Sequence, residues 1–158
     1  MSEVEERLAE LGLAVPDVAA PVAAYVPALR QGDLVFTSGQ LPMVSGRLVR
    51  SGKVGAAGDA GVSAEGAKAL AETCALNAIA AVKSVIGDLD KVTRVVKVVG
   101  FVASDPTFTG QPGVVNGASE LLGRAFGDAG VHARSAVGVA ALPLDAPVEV
   151  EVIVAVRD

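Results

Sequence analysis

One arginine and two glutamates stand out in the C-terminal stretch HARSAVGVAALPLDAPVEVEVIVAVRD, because they interrupt runs that otherwise read as apolar strands. A strand turns successive side chains to opposite faces, so Arg134 shares a face with Ala136, Gly138 and Ala140, residues small enough to leave room for a ligand. In the second run Val148, Val150, Val152, Val154 and Val156 form one apolar face, and Glu149 and Glu151 project from the other with Ile153 and Ala155. The sequence thus sets one fixed cation opposite two carboxylates. A guanidinium grips a carboxylate through a planar two-bond fork, each charge-assisted bond contributing about 1.5–3 kcal/mol when desolvated. A carboxylate nearby can orient or deprotonate a water beside the bound acid. The plainer alternative is that all three charges lie on solvated strand faces, or pair to guard a sheet edge.

Other chemistries are poorly supplied. The single Cys74 has no disulfide partner, and one histidine cannot form a His/Cys cluster, so neither a metal site nor a metal cofactor is expected. Cys74 lies among Leu70, Ala71, Ala78 and Ile79 and reads as a buried, inert thiol. His132 precedes a strand without a serine or cysteine nucleophile motif, which points to a structural hydrogen bond at the strand entrance. The glycine-rich run 52–62 lacks both GxxxxGK[ST] and GxGxxG and reads as a flexible connection. Thirteen Lys and Arg against eighteen Asp and Glu give a net charge of −5, with aromatics at 3%, which argues against nucleic acid as a partner. No uninterrupted apolar run reaches the roughly 18 residues of a membrane span, and the acidic, amphipathic MSEVEERLAELGL is unlike an export signal. A soluble, cytoplasmic protein is expected.

The elements that must position Arg134 and Glu149 follow from periodicity. Residues 2–11 place Val4, Leu8 and Leu11 on one helical face, with Gly12 as a stop. LVFTSG reads as a strand, and a second strand near Arg47–Val49 makes a hairpin with it. Ser63 is a good N-cap for a helix reaching about Ile86, whose Leu70, Cys74, Ala78, Val82 and Val85 form an apolar stripe. VTRVVKVVGFV alternates weakly and suits a central strand buried on both faces, with Arg94 and Lys97 on opposite sides. A third helix runs from about Val114 to Phe126, with Asn116 in its first turn as a capping or solvent-facing amide. The order implies an α+β fold, a mixed sheet covered on one face by two helices, with an added N-terminal helix.

ARSAVGVAALP followed by VEVEVIVAV resembles the C-terminal signature of the RidA-type (YjgF-like) enamine/imine deaminase family. LVFTSGQLP resembles that family's early strand and Ser-Gly-Gln turn, and Val115-Asn116 its Val-Asn pair. The resemblance covers about residues 21–157, so the chain divides into an N-terminal helical extension, 1–20, and a RidA-like domain, 21–158. It implies a chorismate-mutase-like fold, a homotrimer with pockets between subunits, no cofactor, and hydrolysis of 2-aminoacrylate- or 2-iminobutyrate-type substrates to 2-keto acids and ammonia. In that reading Arg134 holds the substrate carboxylate and Glu149 orients the water. Tyr25, Ser38, Asn116, Ser135 and Ala136 line the pocket, Tyr25 from across the subunit boundary. The chain departs from the pattern at Ala23-Ala24, Pro27, Ala136 and Gly138, which resembles a divergent, chorismate-mutase-like branch. A non-catalytic binder of small keto or amino acids and a chaperone-like trimer stay open beside the hydrolase, with an endoribonuclease or a chorismate mutase less favoured.

Overall fold

The computed structural model describes residues 1–18 and 23–158, so the boundary expected between residues 20 and 21 lies outside the described residues. Its centre is a five-stranded sheet in the order β1-β2-β9-β7-β8, built from β1 (Ala28–Gln31), β2 (Leu34–Thr37), β7 (Val92–Ala103), β8 (Ala133–Val139) and β9 (Val148–Val156). All neighbours run antiparallel except β7 and β8, which are parallel because α3 (Gln111–Phe126) crosses between them. α2 (Ala64–Ile86) and α3 cover one face of this sheet. Val148, Val150, Val152, Val154 and Val156 of β9 point into that layer and are buried, as are Val95, Val98 and Val102 of β7. The fold is therefore the mixed sheet with two helices on one face that the element order implies.

Local chemistry explains the helices. Ser63 accepts from the Gly66 amide and starts α2, and Gly87 ends it in a left-handed turn (φ 78°). α2 has the length and hydropathy of a membrane span, a property its four charged residues disguise in the sequence, and most of its apolar stretch is buried against the sheet and α3. α1 (Glu3–Glu10) begins in a reciprocal capping box between Ser2 and Glu5. Val4 and Leu8 enter the core, whereas Leu11 falls past the helix end and stays partly exposed. α3 approaches the sheet closely because Gly100 faces it: a Cβ there would lie 2.4 Å from Val115.

Several expectations change. Arg47–Leu48 (β4) pairs with Met43–Val44 (β3), not with β2, whose real hairpin partner is β1 across the Gly32–Asp33 turn. The glycine-rich run closes on itself: β5 (Lys53–Val54) pairs with β6 (Gly61–Val62), and Arg50 donates to the carbonyls of Asp59 and Gly61. β7 is buried on one face only. Two register shifts against β9 place both Arg94 and Lys97 on the uncovered face, opposite Ala155 and Ile153, because each bulge inserts a residue and restores the parity that strict alternation would break.

Candidate functional site

Arg134 sits on β8, an edge strand, directly beside Val98 and so on the helix-covered face. Its side chain lies along α3. Nη1 donates to Asn116 Oδ1 at 2.7 Å and to Ser119 Oγ at 3.3 Å, and Nη2 donates to the Pro112 carbonyl at 3.2 Å. Asn116 is thus neither a cap nor a free surface amide but the acceptor that fixes the guanidinium. The small residues beside Arg134 do what the sequence implies only in part. Ala136 lies next to Gly100, while Gly138 is exposed but flanked by Gln111, whose Nε2 would meet an added Cβ at 2.8 Å. Beyond it a cavity of about 300 Å³ opens between Ser104, Phe108, Gln111 and Gly138 at the C-terminal ends of β7 and β8.

Glu149 belongs to a different corner. It stands beside Phe101, which in turn pairs with Val137, and it projects from the uncovered face. Its carboxylate lies against the turn after β2, so close that a Cβ on Gly39 would be 1.8 Å from Oε1. That turn is fastened from several sides. Ser38 Oγ donates to the Val26 carbonyl at 2.6 Å, the Ser38 amide to the Pro27 carbonyl at 2.8 Å, and buried Gln40 exchanges backbone bonds with Val150. Asn77, buried in α2, donates to the carbonyls of Leu41 and Met43. Tyr25 adjoins this corner through Val26 and is 46% exposed. Burial, and then the charge of Glu151 on the same face, holds the Glu149 carboxyl above the usual carboxylate range. Burial also pushes the Cys74 thiol well up, with the Glu149 charge adding to it, so Cys74 is protonated and inert as expected.

Within one chain, then, Arg134 does not oppose the two glutamates. Arg134 and Glu149 lie two strands and three residues apart, and at about 4.8 Å per strand and 3.3 Å per residue their Cα atoms are roughly 14 Å from one another, on opposite faces. The alternation rule orders residues within each strand but says nothing of how two strands are phased. Of the two β7 cations on the glutamates' face, the nearer in register is Lys97, which donates to Ser135 Oγ at 3.2 Å. Ser135 therefore faces away from Arg134. No cluster of three metal-binding side chains occurs among the described residues.

Ser119, which sequence reasoning missed, and His132, which it read only as a strand-entrance hydrogen bond, complete the Arg134 corner. Ser119 lies one turn beyond Asn116 on α3, and its hydroxyl is 2.8 Å from His132 Nε2. The ring's Nδ1 is 2.6 Å from the Gly130 carbonyl. The Asn-x-x-Ser spacing on a helix was the available signal.

A family model described as "YjgF/chorismate mutase-like, putative endoribonuclease" matches residues 5–155. The chain belongs to this YjgF-like family. Among similar proteins, TCP17 of Trypanosoma cruzi is 42% identical over 96% of this chain and 92% of its own length. Atu1372 of Agrobacterium tumefaciens, a protein of unknown function, superposes with a TM-score of 0.90 at 46% identity, covering 98% of this chain and 93% of that one. The YjgF-like fold extends to Escherichia coli TdcF at a TM-score of 0.60 and 26% identity, over 89% of this chain and 94% of that one.

Proposed function

We propose that this YjgF-like protein hydrolyses small enamine or imine carboxylates, of the 2-aminoacrylate or 2-iminobutyrate type, to 2-keto acids and ammonia. The observation that carries the reading is the Arg134 fork: three of its five N–H groups are taken by α3, and the remainder are open to a ligand carboxylate. The crystal structure of TdcF with bound serine lends support, since serine is a small carboxylate ligand. Water adds to the imine carbon and ammonia leaves as the carbonyl forms, so R–C(=NH)–COO⁻ and H₂O give R–C(=O)–COO⁻ and NH₃. Glu149 takes the proton of the attacking water and returns it to the departing nitrogen, a role that its raised proton affinity suits. Ser38 and Tyr25 line the Glu149 side, and the backbone of Ser135 and Ala136 lines the Arg134 side.

Because one chain holds Arg134 and Glu149 on opposite faces, the reading requires a second copy, and we include a homotrimer with the pocket between subunits. The uncovered sheet face supports this, with Leu29 and Phe36 at 50% and 37% exposure in register with Ile153, and Val137 at 44% beside Phe101. The endoribonuclease description of the family finds no support in a chain of net charge −5.

Ammonia release from imines generated in solution is the test. Acceleration by the unaltered protein that Arg134→Ala and Glu149→Gln both lose is expected. Binding of 2-ketobutyrate without any acceleration would instead make the protein a keto-acid binder.

A further inference from the structure

A guanidinium has two edges on which a carboxylate can dock, and the surroundings of Arg134 leave them unequal. Both hydrogens of Nη1 have acceptors, Asn116 Oδ1 and Ser119 Oγ. Nη2 gives one hydrogen to the Pro112 carbonyl. Among the described residues Nε–H has none, and because Pro112 and Asn116 lie one turn apart on α3 and take Nη2 and Nη1, the Nη1–Nη2 end faces the helix and the Nε–Nη2 edge is left to meet a carboxylate side-on.

The group that holds Nη1 is itself held, and the direction of each hydrogen bond follows from the first. A backbone carbonyl only accepts, so at 2.6 Å from the Gly130 oxygen His132 Nδ1 carries a proton. In the neutral ring Nε2 is then a lone pair, and it accepts from the Ser119 hydroxyl at 2.8 Å. With its proton committed to His132, Ser119 Oγ turns a lone pair toward Arg134 Nη1. A free hydroxyl would rotate and present its hydrogen to the guanidinium for part of the time. His132 thus fixes the rotor of Ser119, and Ser119 fixes Nη1.

We propose that Ser119 and His132 are positioning residues for ligand recognition: the relay Gly130–His132–Ser119 engages Nη1 of Arg134 and so presents the Nε–Nη2 edge to a small carboxylate. The proposal rests on the reading of Arg134 as the carboxylate grip, and it adds which edge is used and what selects it. Ser119→Ala weakens 2-ketobutyrate binding about three- to tenfold, the scale of one hydrogen bond, with the thermal midpoint little changed. His132→Ala does the same although it touches no ligand. The double variant is no worse than either single one, because both break one chain, and Ser119→Thr retains binding.

Calorimetry with 2-ketobutyrate on the full chain and its variants provides this comparison, and one spectrum adds a readout that a packing role would not move. His132 is the chain's only histidine, so the imidazole ¹⁵N resonances of tag-free protein report on it alone. The expected spectrum shows a protonated Nδ1 and a bare Nε2 that shifts on adding 2-ketobutyrate, and this shift disappears in Ser119→Ala. A neutral ring protonated on Nε2, additive losses in the double variant, or undiminished binding in Ser119→Ala while Arg134→Ala abolishes it would overturn the relay and leave the carboxylate grip standing. Failure of the unaltered protein to bind 2-ketobutyrate would overturn both.

Discussion

The Arg134 corner and the Glu149 corner solve opposite electrostatic problems. Arg134 lies on an edge strand along α3, with neutral acceptors from Asn116, Ser119 and Pro112 arranged around its charge. Glu149 lies on the uncovered face of β9, with a second carboxylate two residues away and a glycine pressed against its oxygen. One charge is fixed in place before any ligand arrives. The other is held where ionisation is made harder. A cation pre-set by hydrogen bonds suits recognition, and a carboxylate of raised proton affinity suits proton transfer, so the contrast separates binding from chemistry along the sheet.

The largest expected effect comes from breaking the first corner. Arg134→Ala lowers 2-ketobutyrate affinity by about 10²-fold or more, the loss of two charge-assisted bonds, and calorimetry on the folded variant measures it. Unchanged affinity would return Arg134 to a structural role. Next, Glu149→Gln reduces imine hydrolysis by about 10²-fold with carboxylate binding retained, which kcat and KM measured separately will show. The same variant should be more heat-stable near neutral pH. A carboxyl whose folded pKa is raised binds an extra proton in the native state between its ordinary and its raised value, so stability falls as pH rises through that window, and glutamine removes the cost. A melting temperature that drops instead would show that Glu149 is a structural anchor.

Gly39→Ala sharpens the contrast from the backbone side. The added methyl displaces only the flexible end of Glu149, so hydrolysis should fall while the fold and 2-ketobutyrate binding persist. Equal losses of binding and rate would merge the two corners into one. Glu151→Gln has the smallest effect on the plateau rate, but it removes the lesser cause of the raised Glu149 value. The acid limb of the pH–rate profile should therefore move part of the way to lower pH, and an unmoved limb would assign the shift to burial alone.

Much of this arrangement was legible because it is local. Ser63 and Gly87 bound α2 as written, and the Val148–Val156 alternation separates a buried face from the one that carries Glu149 and Glu151. Ala28–Gln31 was missed as a strand because three of its four residues are exposed and carry no apolar pattern, although the Gly-Asp turn after it was a usable signal. The faces of Arg94 and Lys97 were not legible at all, since bulges are set by the partner strand. For the same reason Arg134 and Glu149 were placed opposite each other when the strand phasing puts them on different faces. His132 was read correctly as a strand-entrance hydrogen bond, but its partner Ser119 lies back within α3, across the turn that ends the helix, a contact no spacing rule reaches.

The anchoring of α1 bears on how the chain is assembled during synthesis. Asp90 accepts the amides of Glu3 and Val4 across 87 and 86 residues, Lys83 pairs with Glu5 across 78, and Arg7 donates to the Ala125 carbonyl across 118. Asp90 and Lys83 precede the third helix in the chain, but the Arg7 bond to Ala125 completes the seat of the first helix only after the third has left the ribosome. Until then an amphipathic segment with Val4 and Leu8 on its apolar side waits without its seat, and closing so long a loop places its docking late in folding.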